Sequence, residues 1–399
     1  MLLQSIYGAL SIYYLSYFFL RLKLSSGFAH IVSLVTFSIL LIPWSPLQYY
    51  LVTFIKDSFF AFSLCWLIAL ILNFIRVKVN VIQFNILYSL FTILLVFCLS
   101  SRHNALILFP LILFSQYMIL KTRQISLRKM IVYFSMPWIL FFGVKKINTD
   151  FFEIQKTYPF QQVIAQDLIS MVYLKPDMRK NFPYLNSNLK SNYLEGFEWG
   201  NVHRIYFEDT IVNEEYRYGN EMTEEYMKAI LRHPLLFIKT KWLNFQTLLS
   251  FEVPHNWFYL GVDKQDIAQH GSIILTKRSE KLIQNTTFNK IRSKNFYFSI
   301  AISDNMSSRL FSGINAVWLI INILSIFVLI FFIIKKRINP FSLIIILFPF
   351  LYYFSYLVAT TAHDFRFMYP ATLVVQTLFL SFLFSCILNL KPLVKDKIK

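Results

Sequence analysis

The chain has 399 residues, of which 56% are hydrophobic, 18% aromatic and only 15% charged, and its net charge is +18. A soluble domain carries about a quarter charged residues, so this composition excludes a water-soluble protein and predicts lipid around much of the chain. The basic residues lie mostly between apolar runs, a pattern typical of membrane topology, which argues against nucleic-acid binding.

Nine apolar runs, each near the length of about 20 residues that crosses a bilayer, predict membrane-spanning helices. They cover residues 2–20, 27–44, 58–75, 81–99, 105–120, 130–147, 310–334, 340–360 and 367–390. The predicted fold is therefore an all-α polytopic membrane protein with about nine transmembrane helices. Cys65, Cys98 and Cys386 all lie inside these runs, so no disulfide framework is predicted.

A basic cluster follows every odd-numbered run, as Arg21 and Lys23 follow the first. The positive-inside rule then places the N-terminus outside and the C-terminus in the cytoplasm. The stretch 145–309 holds 21 Lys and Arg against 18 Asp and Glu, whereas the rest holds 18 basic and only 3 acidic residues. We therefore predict a mainly α extracytoplasmic domain at 148–309, between the transmembrane parts 1–147 and 310–399.

One amphipathic helix is predicted inside that domain, at 235–250. Its apolar residues recur at alternating steps of three and four and form one stripe, which consists of Leu235, Ile238, Trp242, Phe245 and Leu249. Pro234 suits the helix start, and Lys239 and Lys241 lie off the stripe. Such a helix can lie flat on a membrane surface, or its stripe can pack on the rest of the domain. Both interpretations stay open at this point.

Candidate site residues lie in three short segments on the predicted outer side. They are Lys56 and Asp57, then Arg102, His103 and Asn104, and then His363, Asp364 and Arg366. Charges near a bilayer are costly, so a protein keeps them there for a reason. These residues are either anchors at the membrane interface or parts of one site. Arginine binds phosphate with two parallel hydrogen bonds, and a carboxylate can take a hydroxyl proton. These types favour transfer of a glycosyl group from a lipid-linked phosphate.

Five phrases of the chain resemble a group of bacterial polytopic proteins related to the GT-C-type membrane glycosyltransferases. They are PLQYYLVTFIKDSFF at 46–60, SSRHNALILFP at 100–110, PFQQVIAQDL at 159–168, HPLLFIKTKWLNF at 233–245 and HDFRFMYP at 363–370. The resemblance implies a polyprenyl-phosphate-linked sugar donor and an envelope glycan acceptor at the outer face of the bacterial cytoplasmic (inner) membrane. It also implies that Arg102 and Arg366 contact the donor phosphate, with Asp57 and Asp364 as acidic candidates.

GT-C enzymes place their key acidic residue in an outer loop after a first span that starts in the cytoplasm, and this chain has no such loop. We therefore expect either a missing N-terminal helix or a nine-span protein in which Asp57 or Asp364 has taken the acidic role. A repeat-unit polymerase for O-antigen or capsule is an alternative function, and a non-enzymatic carrier or flippase of lipid-linked glycans is another. No cofactor or metal ligand set is predicted, and a divalent cation stays an alternative.

Overall fold

The computed structural model describes residues 2–22, 24–41, 47, 51, 56–76, 80–123, 125–150, 159–183, 197, 199, 221–249, 315–336, 342–359 and 368–395. Every regular element in these ranges is a helix, and they contain no β-strand. The α-helices are α1 (Leu2–Leu20), α2 (Ser26–Leu40), α3 (Lys56–Arg76), α4 (Val81–Ser101), α5 (Phe109–Thr122), α6 (Leu127–Asp150), α7 (Pro159–Leu174), α8 (Glu221–Arg232), α9 (Pro234–Leu249), α10 (Asn315–Ile334), α11 (Ser342–Ala359) and α12 (Tyr369–Lys395). Two 3₁₀-helices cover His103–Leu108 and Pro176–Asn181.

Seven stretches within the described helices are long and apolar enough to cross a membrane. They are Asp57–Phe74, Val81–Ser101, Ala105–Thr122, Leu127–Ile147, Asn315–Ile334, Ser342–Ala359 and Tyr369–Ile387. Lipid offers no hydrogen-bond partners to backbone N–H and C=O groups, whereas a helix pairs these groups internally. These runs therefore form helices as predicted. The chain is thus an all-helical, multi-pass membrane protein.

The two remaining predicted spans also lie on helices, α1 and α2. The 19 residues of α1 include Gln4, three serines and four tyrosines, which lower its hydropathy, and α2 has only 15 residues. Nine crossings therefore stay a prediction. Several predicted boundaries differ from the structure by a few residues. Helix α3 begins at Lys56, α6 covers Leu127–Asp150, and α12 continues to Lys395.

The chain folds into two compact units, and the first contains the described residues of 1–142, 315–350 and 368–395. Helix α3 is central to this unit and packs on α1, α4, α5 and α12. Gly8 lets α1 approach α3 closely, because a Cβ atom there would lie 2.7 Å from Leu51 Cδ2 and from the Phe62 ring. The hydroxyls of Ser16 and Ser381 join α1 to α12 at 2.7 Å. Small residues and such hydrogen bonds are what associate helices in lipid.

The second unit contains the described residues of 143–249 and 351–359, and it overlaps the predicted extracytoplasmic domain. Helices α7 and α8 enclose an apolar cluster that includes Ile164, Leu168, Tyr226 and Ala229. The described part of this unit is helical, and the mainly α character of the whole predicted domain stays a prediction. The side of the membrane on which it lies stays a prediction, and residues 251–309 lie outside the described part of the chain.

Helix α9 coincides with the predicted amphipathic helix, and part of its apolar stripe is exposed. Leu235 is 81% exposed, Ile238 61% and Trp242 49%, whereas Phe245 is buried. The buried side of α9 contains Thr240, Lys241 and Asn244 together with Phe245 and Leu248. Both interpretations of the stripe stay predictions.

Candidate functional site

Two predicted site residues from separate segments meet at one end of the α3–α4 hairpin. Asp57 lies in the first turn of α3, and Arg102 directly follows the last residue of α4. The two helices pack together and are joined by a connection of only 77–80, so the start of one lies beside the end of the other. This geometry positions both side chains without any contribution from a longer loop.

Asp57 and Arg102 form a buried ion pair. Arg102 Nε donates to Asp57 Oδ1 at 2.6 Å, and Arg102 Nη2 contacts the same oxygen. Asp57 is 2% exposed and Arg102 9% exposed. Each charge also lies at the favourable end of its helix dipole, the carboxylate at an N-terminus and the guanidinium at a C-terminus. The ion pair thus joins two of the three predicted outer segments.

The other predicted site residues stay untested. Lys56 begins α3, and His103 and Asn104 begin the 3₁₀-helix that follows Arg102, but the side chains of these three are outside what the structure describes. His363, Asp364 and Arg366 fall in 360–367, which also lies outside the described residues.

A second buried charged cluster occurs in the other unit, and the sequence did not predict it. We call it the Asp167 cluster. Tyr226 OH donates to Asp167 Oδ2 at 3.0 Å, and Lys241 Nζ forms an ion pair with the same oxygen. Lys241 Nζ also donates to the carbonyl oxygen of Val358. Asn244 extends the cluster by donating to Ser170 Oγ at 3.3 Å.

Burial dominates the electrostatics of the Asp167 cluster. It raises the pKa of Asp167 to about 6, although Lys241 and hydrogen bonds from Lys241, Tyr226 and Asn244 oppose the shift. Burial also lowers the pKa of Lys241, against the attraction of Asp167. Both shifts have the same physical cause, which is that a low-dielectric environment disfavours the charged form of each group.

The Asp167 cluster was foreseeable in one respect only. Asp167 is the single charge in the apolar helix α7, and a lone carboxylate of that kind needs a partner. Its partner Lys241 was placed only off the apolar stripe of the amphipathic helix, so the sequence offered no signal for the pair. The cluster contains none of the residues of the three predicted outer segments, so Asp57 and Arg102 remain the candidate site.

No metal centre is evident in the described part of the chain, where no three His, Cys, Asp or Glu side chains come together. The chain matches no protein-family model, no curated protein and no solved structure. The functional argument therefore depends on the chemistry of the Asp57–Arg102 pair and its place at the end of two candidate spans.

Proposed function

We propose that the chain is a membrane glycosyltransferase, which moves a sugar from a polyprenyl-phosphate-linked donor to an envelope glycan acceptor at the outer face of a bacterial cytoplasmic membrane. The observation that carries the proposal is the buried ion pair of Asp57 and Arg102 at the end of the α3–α4 hairpin. The remaining predicted residues of the outer segments, including Asp364 and Arg366, are proposed to complete the same site.

Stability alone is a poor reason for two charges at this position. Replacing a buried ion pair by apolar residues of similar volume is often neutral or stabilising by about 1–4 kcal/mol, because desolvation cancels much of the Coulomb gain. Ionisable residues inside membrane segments are rare and commonly functional. Asp57 begins the apolar stretch Asp57–Phe74, so the pair meets that description.

The two side chains suit the two ends of a glycosyl transfer. A guanidinium carries five N–H donors, more than one carboxylate oxygen accepts, so one arginine can hold a carboxylate and a phosphate together. A lipid-linked phosphate approaches from within the bilayer, where the end of a hairpin of spans can reach it. Arg102 is the proposed phosphate ligand, and Asp57 the proposed base toward the acceptor hydroxyl.

The proposed step conserves atoms and charge. The acceptor oxygen bonds to the anomeric carbon of the sugar, and its proton passes to the carboxylate of Asp57. The bond from that carbon to the phosphate oxygen breaks, and polyprenyl phosphate leaves with the electron pair. Protonated Asp57 binds Arg102 less strongly. The guanidinium can therefore interact more strongly with the negative charge that develops on the leaving phosphate.

Consumption of a lipid-linked donor tests the proposal. Membranes with the wild-type chain are incubated with polyprenyl-phosphate sugars, and donor loss is compared with that of Arg102→Ala, Arg102→Lys and Asp57→Asn. A charged contact at a desolvated site is worth about 2–5 kcal/mol, so Arg102→Ala loses most activity. Arg102→Lys recovers part of it, since an ammonium lacks the planar fork.

Thr92→Val is the matched control, because Thr92 is also polar, buried and on α4. It is expected to keep full activity. Full donor loss in Arg102→Ala or Asp57→Asn membranes contradicts the proposed roles. The length of the product distinguishes single-sugar transfer from repeat-unit polymerisation.

A further inference from the structure

Helix α9 exposes part of its apolar stripe, while its buried side contains polar side chains together with Phe245 and Leu248. Leu235, Ile238 and Trp242 are each about half or more exposed, while Lys241 and Asn244 are buried in the Asp167 cluster.

This orientation is unfavourable in water on both sides of α9. Exposed apolar area costs about 25 cal/mol per Å², and buried charges need compensation for their lost hydration. The observed orientation is favourable when an apolar medium covers Leu235, Ile238 and Trp242.

A hydrogen bond also joins α9 to the end of a candidate span. Lys241 Nζ donates to the carbonyl of Val358, which lies in the last turn of the candidate span Ser342–Ala359. Carbonyls of a helix's last turn lack partners within the helix, so this contact joins α9 to the end of α11. The 16 residues of α9 span only about 24 Å at 1.5 Å per residue, less than the hydrocarbon core of about 30 Å.

The exposed side of α9 has the composition of a membrane-surface helix. Trp242 supplies an aromatic side chain of the kind enriched at the headgroup level. Lys239 is exposed beside Ile238, where its stem can cover apolar surface while its ammonium reaches lipid phosphates. A lipid monolayer accounts for both the apolar face and the contact of α9 with the end of a span.

We propose that α9 is an in-plane membrane-surface helix, whose Leu235, Ile238 and Trp242 side chains enter the headgroup–acyl boundary of the bilayer. The Asp167 cluster is its anchor on the protein side, because Lys241 links Asp167 to the end of α11. The second unit is thus held against the lipid along one helix. The occupant is the lipid monolayer, and this assignment does not depend on the glycosyltransferase proposal.

Collision rates of spin labels test the assignment in the full chain. The protein is placed in vesicles of phosphatidylcholine and phosphatidylglycerol after Cys65, Cys98 and Cys386 are replaced by alanine. Labels are attached to Ile238→Cys and, as a matched control on α8, to Glu224→Cys, whose carboxylate is exposed and pairs only with exposed Lys228 among the described residues. Oxygen concentrates in lipid, whereas a nickel chelate stays in water.

The label on Ile238→Cys is expected to collide more with oxygen than with nickel, and the label on Glu224→Cys more with nickel. A second measurement needs no label: brominated lipids should quench wild-type fluorescence more than that of Trp242→Phe. Equal nickel access at both labels overturns the proposal, because α9 then faces water. Low access of both reagents at Ile238→Cys also overturns it, because protein then covers the face.

Discussion

The Asp167–Lys241 pair allows a quantitative prediction about the second unit. Lys241→Met leaves the Asp167 carboxylate buried without its ammonium partner. Removing one partner of a buried ion pair costs about 3–5 kcal/mol, because the remaining charge stays desolvated. Asp167 is fully buried, so water does not replace the lost ammonium.

The assay must report on the second unit alone, since a chain of two units has no single unfolding free energy. Ala229 is fully buried in the apolar cluster of that unit, so the thiol of an Ala229→Cys variant reacts only when the unit opens. The alanine replacements of the three native cysteines are kept. Because each 1.4 kcal/mol is a factor of ten, Lys241→Met should accelerate labelling by roughly two to three and a half orders of magnitude.

Two further variants make the reasoning refutable. The double variant Asp167→Asn/Lys241→Met contains neither charge, so it should label more slowly than Lys241→Met. Lys228→Met breaks an exposed ion pair with Glu224 and should leave the rate nearly unchanged. Unchanged labelling in Lys241→Met, or a double variant that labels as fast as Lys241→Met, contradicts the account of a coupled buried pair.

Three other predictions concern pH, packing and topology. Since the pKa of Asp167 is raised to about 6 from an ordinary value near 4, the folded unit binds the extra proton. This stabilisation is complete below about pH 4 and lost as the pH rises through 6. Labelling of the Ala229→Cys variant, corrected for thiol reactivity, should thus show about 1 kcal/mol more stability at pH 5 than at pH 7; the opposite trend contradicts it. Gly8→Ala should destabilise the first unit by about 1–3 kcal/mol in thermal unfolding, unlike Gly143→Ala, whose Cβ meets nothing within 4 Å. An impermeant maleimide added outside should label Glu224→Cys and spare Lys335→Cys; the reverse pattern contradicts the predicted orientation.

The helices were predictable because their formation in lipid depends on local sequence. A run of apolar residues in a membrane has to bond its own backbone, and all nine predicted runs lie on helices. Their ends were less predictable. Helix α3 begins two residues before its predicted start and so includes Asp57. The predicted span began after this charged residue, but the ion pair with Arg102 allows Asp57 to lie inside the helix.

The candidate site was only partly predictable, because pairing depends on tertiary packing. The basic clusters placed Asp57 and Arg102 on one side of the membrane, but the packing of α3 on α4 was needed to join them. No sequence pattern related Asp167 to Lys241. The orientation of α9 was undecidable from its stripe, because an apolar face is buried by protein in water and by lipid at a membrane.

The most direct test of the central claim is an exchange of the two charges, Asp57→Arg/Arg102→Asp, measured for both stability and donor consumption. The exchange keeps an ion pair between α3 and α4 but moves the guanidinium and the carboxylate to each other's positions. The account predicts that thermal stability recovers above that of Arg102→Ala while consumption of the polyprenyl-phosphate sugar does not. Recovery of activity together with stability would show that the pair only holds the hairpin together, and would contradict the proposed site.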